Sequence, residues 1–124
     1  CMLGSSMAFL TGTSGGTFGI MLPIAAAMAA NAAPELLLPC LSAVMAGAVC
    51  GDHCSPVSDT TILSSTGAKC NHIDHVTTQL PYAATVATAT SIGYIVVGFT
   101  YSGLAGFAAT AVSLIVIVFA VKKR

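Results

Sequence analysis

The feature that most constrains this chain is a long stretch without a charged side chain. Residues 76–121 contain no Asp, Glu, Lys or Arg. A soluble domain carries about a quarter charged residues, and it covers its water-facing surface with them. This chain of 124 residues is 56% hydrophobic and 6% charged, so it cannot build such a surface even around a well-packed core. The composition therefore predicts a protein embedded in a membrane.

The uncharged stretch is long enough for two membrane helices of about 20 residues each. Glycine, tyrosine and serine at 98–103 supply a turn, which predicts helices over 76–97 and 104–121. The second helix is followed by the basic sequence KKR at 122–124. Because basic residues tend to stay on the cytoplasmic side of a membrane, we expect a cytoplasmic C-terminus.

The segment 3–30 is as long and apolar as a membrane helix, but TGTSGGTFG at 11–19 interrupts it with four glycines and four hydroxyl residues. Each glycine costs a helix about 1 kcal/mol relative to alanine. We therefore predict a broken helix over 3–30. Irregular backbone at membrane depth is tolerated only where it is buried in protein or lines an aqueous cavity, so the break indicates a site. Close helix packing by small residues is the alternative interpretation.

A second irregular segment covers 35–68 and contains the polar sequence GDHCSPVSDTT at 51–61. The apolar stretch 36–50 reaches about 22 Å as a helix, which is shorter than a hydrocarbon core of about 30 Å. The polar residues are therefore expected to begin inside the membrane. Pro56 removes a backbone donor, so we expect a break at 51–61 and free carbonyls at 49–52.

Asp52 and Asp59 are the costly residues of this second break, because a carboxylate near the bilayer centre costs about 3 kcal/mol. Hard cations prefer carboxylate, hydroxyl and carbonyl oxygens as ligands. The neutral hydroxyl residues beside the two carboxylates are Ser55, Ser58, Thr60 and Thr61. Desolvation favours the protonated carboxylate, whereas a bound cation favours the ionised one. The break therefore predicts competition between Na⁺ and H⁺, with His53 either as a proton relay or as a simple hydrogen-bond partner of a helix end.

The polar sequence KCNHIDH at 69–75 predicts a helix start at the membrane surface, capped by Asn71 or Asp74. Cys70, His72 and His75 are ligand types for zinc. Their spacing matches no strong zinc pattern, and we predict no metal cofactor.

Two stretches resemble the C-terminal part of the NhaC-type Na⁺/H⁺ antiporter family, within the ion transporter superfamily. They are TGTSGGTFGIMLPIA at 11–25 and GDHCSPVSDTTILSSTGAKCNHIDHVTTQLPYA at 51–83. The resemblance implies an all-α, polytopic membrane protein fragment with about four transmembrane segments, two of them broken, in an inverted-repeat transporter fold. The implied ion- and proton-binding residues are Asp52, Ser55, Ser58, Asp59 and Thr60. The residues implied for the other break are Thr11, Thr13, Ser14 and Thr17.

Residues and resemblance together predict one transmembrane domain over residues 1–124 of a secondary antiporter, not an enzyme, in the cell (inner) membrane. It is expected to exchange Na⁺ for H⁺ by alternating access and to need no cofactor. An exchanger of organic acids or amino acids, such as malate and lactate, is the first alternative, and a structural membrane subunit is the second. The expected partners are the lipid bilayer, the transported Na⁺ and H⁺ and the remainder of a longer transporter chain, with a homodimer left open. A formal net charge of zero and the lack of a basic stripe predict no nucleic-acid binding.

Overall fold

The computed structural model describes residues 1–122, and the regular structure of this part of the chain is entirely helical. Its elements are α1 (Met2–Thr11), α2 (Ser14–Ala32), a 3₁₀ turn at Pro34–Leu36, α3 (Leu37–Cys54), α4 (Asp59–Gly67), α5 (His72–Thr100) and α6 (Gly103–Lys122). Four helical segments in the described part are long and apolar enough to cross a membrane, namely Ser14–Ala32, Pro34–Cys54, His72–Thr100 and Gly103–Lys122. The predicted all-α, multi-pass membrane fold is confirmed. The basic residues Lys123 and Arg124 lie outside the described residues, and the inverted repeat stays a prediction.

The interior of the helical bundle is built from small residues. Ala8, Ala48 and Ala89 are completely buried, whereas large apolar side chains such as Leu104, which is 84% exposed, face outward. A soluble domain places its large apolar residues inside. Membrane helices, which gain little from burying apolar side chains against one another, associate instead through close packing of small residues.

Helices α1 and α3 run side by side in the same direction. The facing positions along the pair are Cys1 with Gly47, Ser5 with Gly51, and Phe9 with Ser55. They advance by four residues, or about one helical turn, on both helices, which is the register of a parallel pair. A Cβ atom at Gly47 or Gly51 would overlap the facing backbone carbonyl. Glycine is therefore what permits the two backbones to approach so closely.

The apolar segment 3–30 is interrupted, as predicted, and the interruption separates α1 from α2 and reverses the direction of the chain. Helix α2 packs against α3, and a connection of only a few residues joins these two helices as antiparallel neighbours. Since α1 is parallel to α3, α1 and α2 run in roughly opposite directions. They form a helical hairpin in which only α2 is long enough to span a membrane.

The reversal between α1 and α2 is also shorter than the predicted break at 11–19. It occupies Gly12 and Thr13, which lie between the two helices. Gly12 has a φ of 67°, a left-handed conformation that glycine adopts without strain. Thr13 caps α2, because its Oγ1 accepts a hydrogen bond of 3.4 Å from the Gly16 N–H. The later glycines remain helical, since their low helix propensity is a weak preference that the packing of α2 overrides.

The second break covers residues 55–58 rather than 51–61, because α3 extends further than predicted. Pro56 ends α3, since proline lacks an N–H and crowds the carbonyl four residues earlier. The expectation of free carbonyls just before this proline is wrong for Asp52, whose carbonyl accepts a hydrogen bond of 3.1 Å from the Ser55 N–H.

Helices α5 and α6 form a second hairpin, whose turn contains Tyr101 at a left-handed φ of 54°. Helix α5 begins four residues before and ends three residues after the predicted helix at 76–97, whereas α6 is one residue longer at each end than the predicted helix at 104–121. Gly93 of α5 and Gly106 of α6 face each other across the hairpin. The predicted cap at Asn71 is confirmed, because its Oδ1 accepts a hydrogen bond of 3.0 Å from the Ile73 N–H. Helix α5 then passes beside α3 and α4.

Candidate ion-binding site

The first break, formed by Gly12 and Thr13, lies against the second break at residues 55–58. A Cβ atom added to Gly12 would lie 2.9 Å from the carbonyl oxygen of Val57, so the backbones of the two breaks are in contact. Ser55 Oγ donates a hydrogen bond of 2.7 Å to the carbonyl of Phe9, in the last turn of α1. The ends of α1 and α3 and the starts of α2 and α4 therefore meet in one region.

A chain of hydrogen bonds in this region ends on a buried carboxylate. Asp52, in the last turn of α3, is only 8% exposed, and its Oδ1 accepts a hydrogen bond of 2.7 Å from Ser58 Oγ. Ser58 Oγ lies 2.8 Å from Thr60 Oγ1. An ionised carboxylate can only accept, so the Ser58 proton points at Asp52 and the Thr60 hydroxyl donates to Ser58. The hydroxyl protons of Thr60 and Ser58 are thus both directed toward Asp52.

The other predicted residues of this break lie outside the chain of hydrogen bonds. Asp59 is exposed in the first turn of α4. Ser55 is fully buried, and its hydroxyl group donates a hydrogen bond to α1. Of the five predicted ion-binding residues, the structure joins Asp52, Ser58 and Thr60.

The hydroxyl groups of the first break mainly serve their own backbone. Thr11 Oγ1 donates to the Met7 carbonyl at 2.9 Å, and the fully buried Thr17 donates to the Thr13 carbonyl at 3.0 Å. Thr13 is the cap of α2, and Ser14 is its half-buried first residue. Among the described residues, no direct hydrogen bond joins these four side chains to Asp52. These four residues lie next to the second break, but their side chains take no part in the hydrogen bonds that end on Asp52.

Gln79 is a candidate site residue that the sequence pattern did not indicate. The backbone carbonyl of His53 accepts a hydrogen bond of 3.2 Å from Thr61 Oγ1 and another of 2.9 Å from Gln79 Nε2. Gln79 belongs to α5 and is 26 positions from His53 in the chain. The side chain of His53 itself is exposed.

His72, which the sequence indicates only as a zinc ligand type, contacts the second break. Its Nε2 lies 2.7 Å from the carbonyl oxygen of Pro56, and its Nδ1 lies 3.1 Å from Ser65 Oγ. A carbonyl can only accept, so Nε2 carries a proton and donates it to Pro56. His72 thereby connects the start of α5 to the second break. Within residues 1–122, no group of three or more His, Cys, Asp and Glu side chains is arranged to hold a metal ion.

Comparison with known proteins identifies relatives of the chain. A protein of Haemophilus influenzae (strain ATCC 51907 / DSM 11121 / KW20 / Rd), described as an uncharacterized protein, is 95% identical over 123 residues, which are 99% of this chain and 24% of that protein. The Malate-2H(+)/Na(+)-lactate antiporter of Bacillus subtilis (strain 168) is 39% identical over 103 residues, which are 80% of this chain and 21% of the antiporter. The chain thus spans about a quarter or less of the length of these relatives. No solved structure is a significant match.

The family model described as the Na⁺/H⁺ antiporter family matches residues 1–99. These residues include both breaks, the whole of α4 and nearly all of α5. The resemblance stated from the sequence motifs is therefore confirmed, and the chain belongs to the Na⁺/H⁺ antiporter family.

Proposed function

We propose that this chain is part of a secondary antiporter that exchanges Na⁺ for H⁺ across the cell membrane, with its C-terminus in the cytoplasm. Asp52 is the carboxylate that carries the exchanged proton. The observation behind this proposal is the burial of Asp52 at a helix break, with its Oδ1 bonded to Ser58. Ionisable residues inside membrane segments are rare, and they normally serve ions, protons or substrates. Membership of the antiporter family supports Na⁺ and H⁺ as those ions.

The exchange follows from competition at Asp52. A proton bound to the carboxylate removes the negative charge that would attract a cation, and a cation held nearby repels a proton. A bound cation and a bound proton therefore oppose each other. If the region opens alternately to the two sides of the membrane, a cation leaving on one side is replaced by a proton on the same side, and the two ions move in opposite directions.

Exchange of an organic acid is the second candidate. Its support is the similarity to the Malate-2H(+)/Na(+)-lactate antiporter over 80% of this chain. The backbone N–H groups at the starts of α2 and α4 suit the carboxylate of such a solute, because helix N-termini attract anions. In this version Asp52 still binds the coupling proton.

The test uses the full-length protein in sealed proteoliposomes that contain a pH-sensitive dye. Na⁺, Li⁺, K⁺, malate, lactate and amino acids are added one at a time. The wild type is compared with Asp52→Asn and Asp59→Asn. Asp74→Asn is the control, because it removes an exposed carboxylate from the first turn of α5.

The possible results distinguish Na⁺/H⁺ exchange from exchange of an organic acid. Proton movement driven by Na⁺ alone, lost in Asp52→Asn and kept in Asp74→Asn, supports Na⁺/H⁺ exchange through Asp52. Proton movement that needs malate, lactate or an amino acid supports the second candidate. Activity that survives Asp52→Asn but is lost in Asp59→Asn would place the proton-carrying carboxylate on α4 and contradict the assignment.

A further inference from the structure

A small polar cavity lies beside the chain of hydrogen bonds that ends on Asp52. Its volume is about 50 Å³, enough for one ion or water molecule, and its lining residues are His53, Thr60, Thr61, Ser64 and Gln79. The side-chain amide of Gln79 donates through Nε2 to the His53 carbonyl. Among residues 1–122, Gln79 Oε1 is a buried oxygen with no hydrogen-bond partner. Because a buried acceptor is costly to leave unpaired, this oxygen points to a ligand that the cavity is built to hold.

The other side-chain oxygens of the cavity also present lone pairs rather than protons. Ser64 Oγ donates its proton to the Thr60 carbonyl at 2.8 Å. Thr61 Oγ1 donates its proton to the His53 carbonyl at 3.2 Å. Thr60 Oγ1 donates to Ser58 whenever Asp52 is ionised. A hydroxyl group has one proton and two lone pairs, so all three hydroxyl oxygens are left as acceptors, together with Gln79 Oε1.

We propose that this cavity is a Na⁺ site, formed by the oxygens of Gln79, Thr60, Thr61 and Ser64, and that it acts on Asp52 through the hydroxyl groups of Thr60 and Ser58. Four acceptor oxygens without a free proton match a cation better than a water molecule, which has only two protons to donate. Neutral oxygens are suitable ligands for a hard cation. The inference rests on the proposed Na⁺/H⁺ exchange and assigns the cation to a different set of atoms from the proton.

The hydrogen-bonded chain explains how the two ions exclude each other without sharing a ligand. With Na⁺ on Thr60 Oγ1, the Thr60 proton points to Ser58, the Ser58 proton points to Asp52, and the carboxylate is ionised. When Asp52 takes up a proton, its O–H donates to Ser58 and Ser58 donates to Thr60. The Thr60 proton then turns toward the cavity that this residue lines. A proton among the cation's ligands opposes Na⁺ binding, so protonation of Asp52 releases the ion.

The experiment measures ²²Na⁺ binding to the purified full-length protein in detergent, together with proton release into a weakly buffered dye solution when Na⁺ is added. Gln79→Met removes the unpartnered oxygen while keeping the side-chain length. Ser64→Ala removes one ligand oxygen from an exposed position of α4, where alanine is a good helix former. Ser6→Ala is the matched control, since Ser6 makes the same kind of hydrogen bond to a carbonyl four residues earlier, in α1. Asp52→Asn removes the carboxylate that binds the proton but leaves the proposed Na⁺ ligands in place, so it tests whether Na⁺ binds without proton release.

The wild type and Ser6→Ala should bind Na⁺ equally and release protons as they do so. We expect Gln79→Met to raise the Kd for Na⁺ at least tenfold and Ser64→Ala to raise it several-fold. Asp52→Asn should still bind Na⁺ but release no proton, because the ion lies on neutral oxygens two hydrogen bonds away. Wild-type affinity in both Gln79→Met and Ser64→Ala, with binding lost in Asp52→Asn, would overturn the cavity site and leave Na⁺/H⁺ exchange intact. A wild type that binds no Na⁺ would overturn both proposals.

Discussion

The hydroxyl of Ser55 donates a hydrogen bond of 2.7 Å to the backbone carbonyl of Phe9 and joins two helices at the point where both of them end. The carbonyls in the last turn of a helix have no partner within that helix. The carbonyl of Phe9 is one of these, and Ser55 satisfies it from α3. The same bond fixes the position of the second break relative to the first.

Ser55→Ala is expected to destabilise the protein by about 1–3 kcal/mol, because it leaves the Phe9 carbonyl without its partner. The measurement is the Tm of the full-length protein in detergent. Ser42→Ala is the control, since Ser42 is exposed and bonds only the nearby Pro39 carbonyl. Equal Tm values for the two variants would show that the bond to Phe9 adds nothing to stability.

Gly51→Ala should destabilise the pair of helices α1 and α3 by about 1–3 kcal/mol, because the added Cβ would overlap the Ser5 carbonyl. Gly19→Ala is the matched substitution in α2, where a Cβ would meet nothing within 4 Å. It should instead be stabilising by up to about 1 kcal/mol, through helix propensity. Thermal unfolding of both variants checks the prediction, and a loss of stability in both would refute the role of close packing at Gly51.

Ser58→Ala should lower Na⁺-driven proton movement at least tenfold, because Asp52 loses the hydroxyl group that bonds its Oδ1. Ser58 also caps α4, and the loss of a helix cap alone costs about 1 kcal/mol. Asn71→Ala controls for this second effect, since Asn71 caps α5 without contacting Asp52. Proteoliposome transport should be impaired in Ser58→Ala and kept in Asn71→Ala, and equal impairment would assign the effect to capping.

His72→Phe should loosen the second break, because the Pro56 carbonyl loses the N–H donor at 2.7 Å. Phenylalanine keeps a ring of similar shape but offers no hydrogen bond. Backbone hydrogen exchange at Ser55, Val57 and Ser58 should become faster, as expected for a segment held by fewer contacts. His75→Phe, one turn further along α5, serves as the control, and unchanged exchange in both variants would count against the proposed role of His72.

Much of the fold could be predicted from local patterns. The uncharged stretch 76–121 predicted α5 and α6, and the missing N–H of Pro56 predicted the end of α3, because these features act on nearby backbone. The extent of the first break was not predictable in the same way. Gly12, Gly15 and Gly19 are chemically identical, but only Gly12 has a left-handed φ. Its backbone also lies against Val57, a contact between distant parts of the chain that no local pattern indicates.

The sequence pattern grouped only those candidate site residues that are close together in the chain. Asp52, Ser58 and Thr60 are grouped in one polar sequence, and the structure joins them. Gln79 and His72 were missed because their partners, His53 and Pro56, are 26 and 16 positions away. These contacts exist only once α5 has packed beside α3 and α4. A lone glutamine near the start of an apolar helix gives no local signal of that packing.

The meeting of four helix ends at the two breaks has an electrostatic consequence. Each helix carries about half a positive charge at its N-terminus and about half a negative charge at its C-terminus. Helices α1 and α3 direct negative ends into this region, and α2 and α4 direct positive ends into it. Partial charges of both signs thus come from the backbone itself. A chain with 6% charged residues and a formal net charge of zero therefore presents partial charges of both signs in this region without burying additional charged side chains.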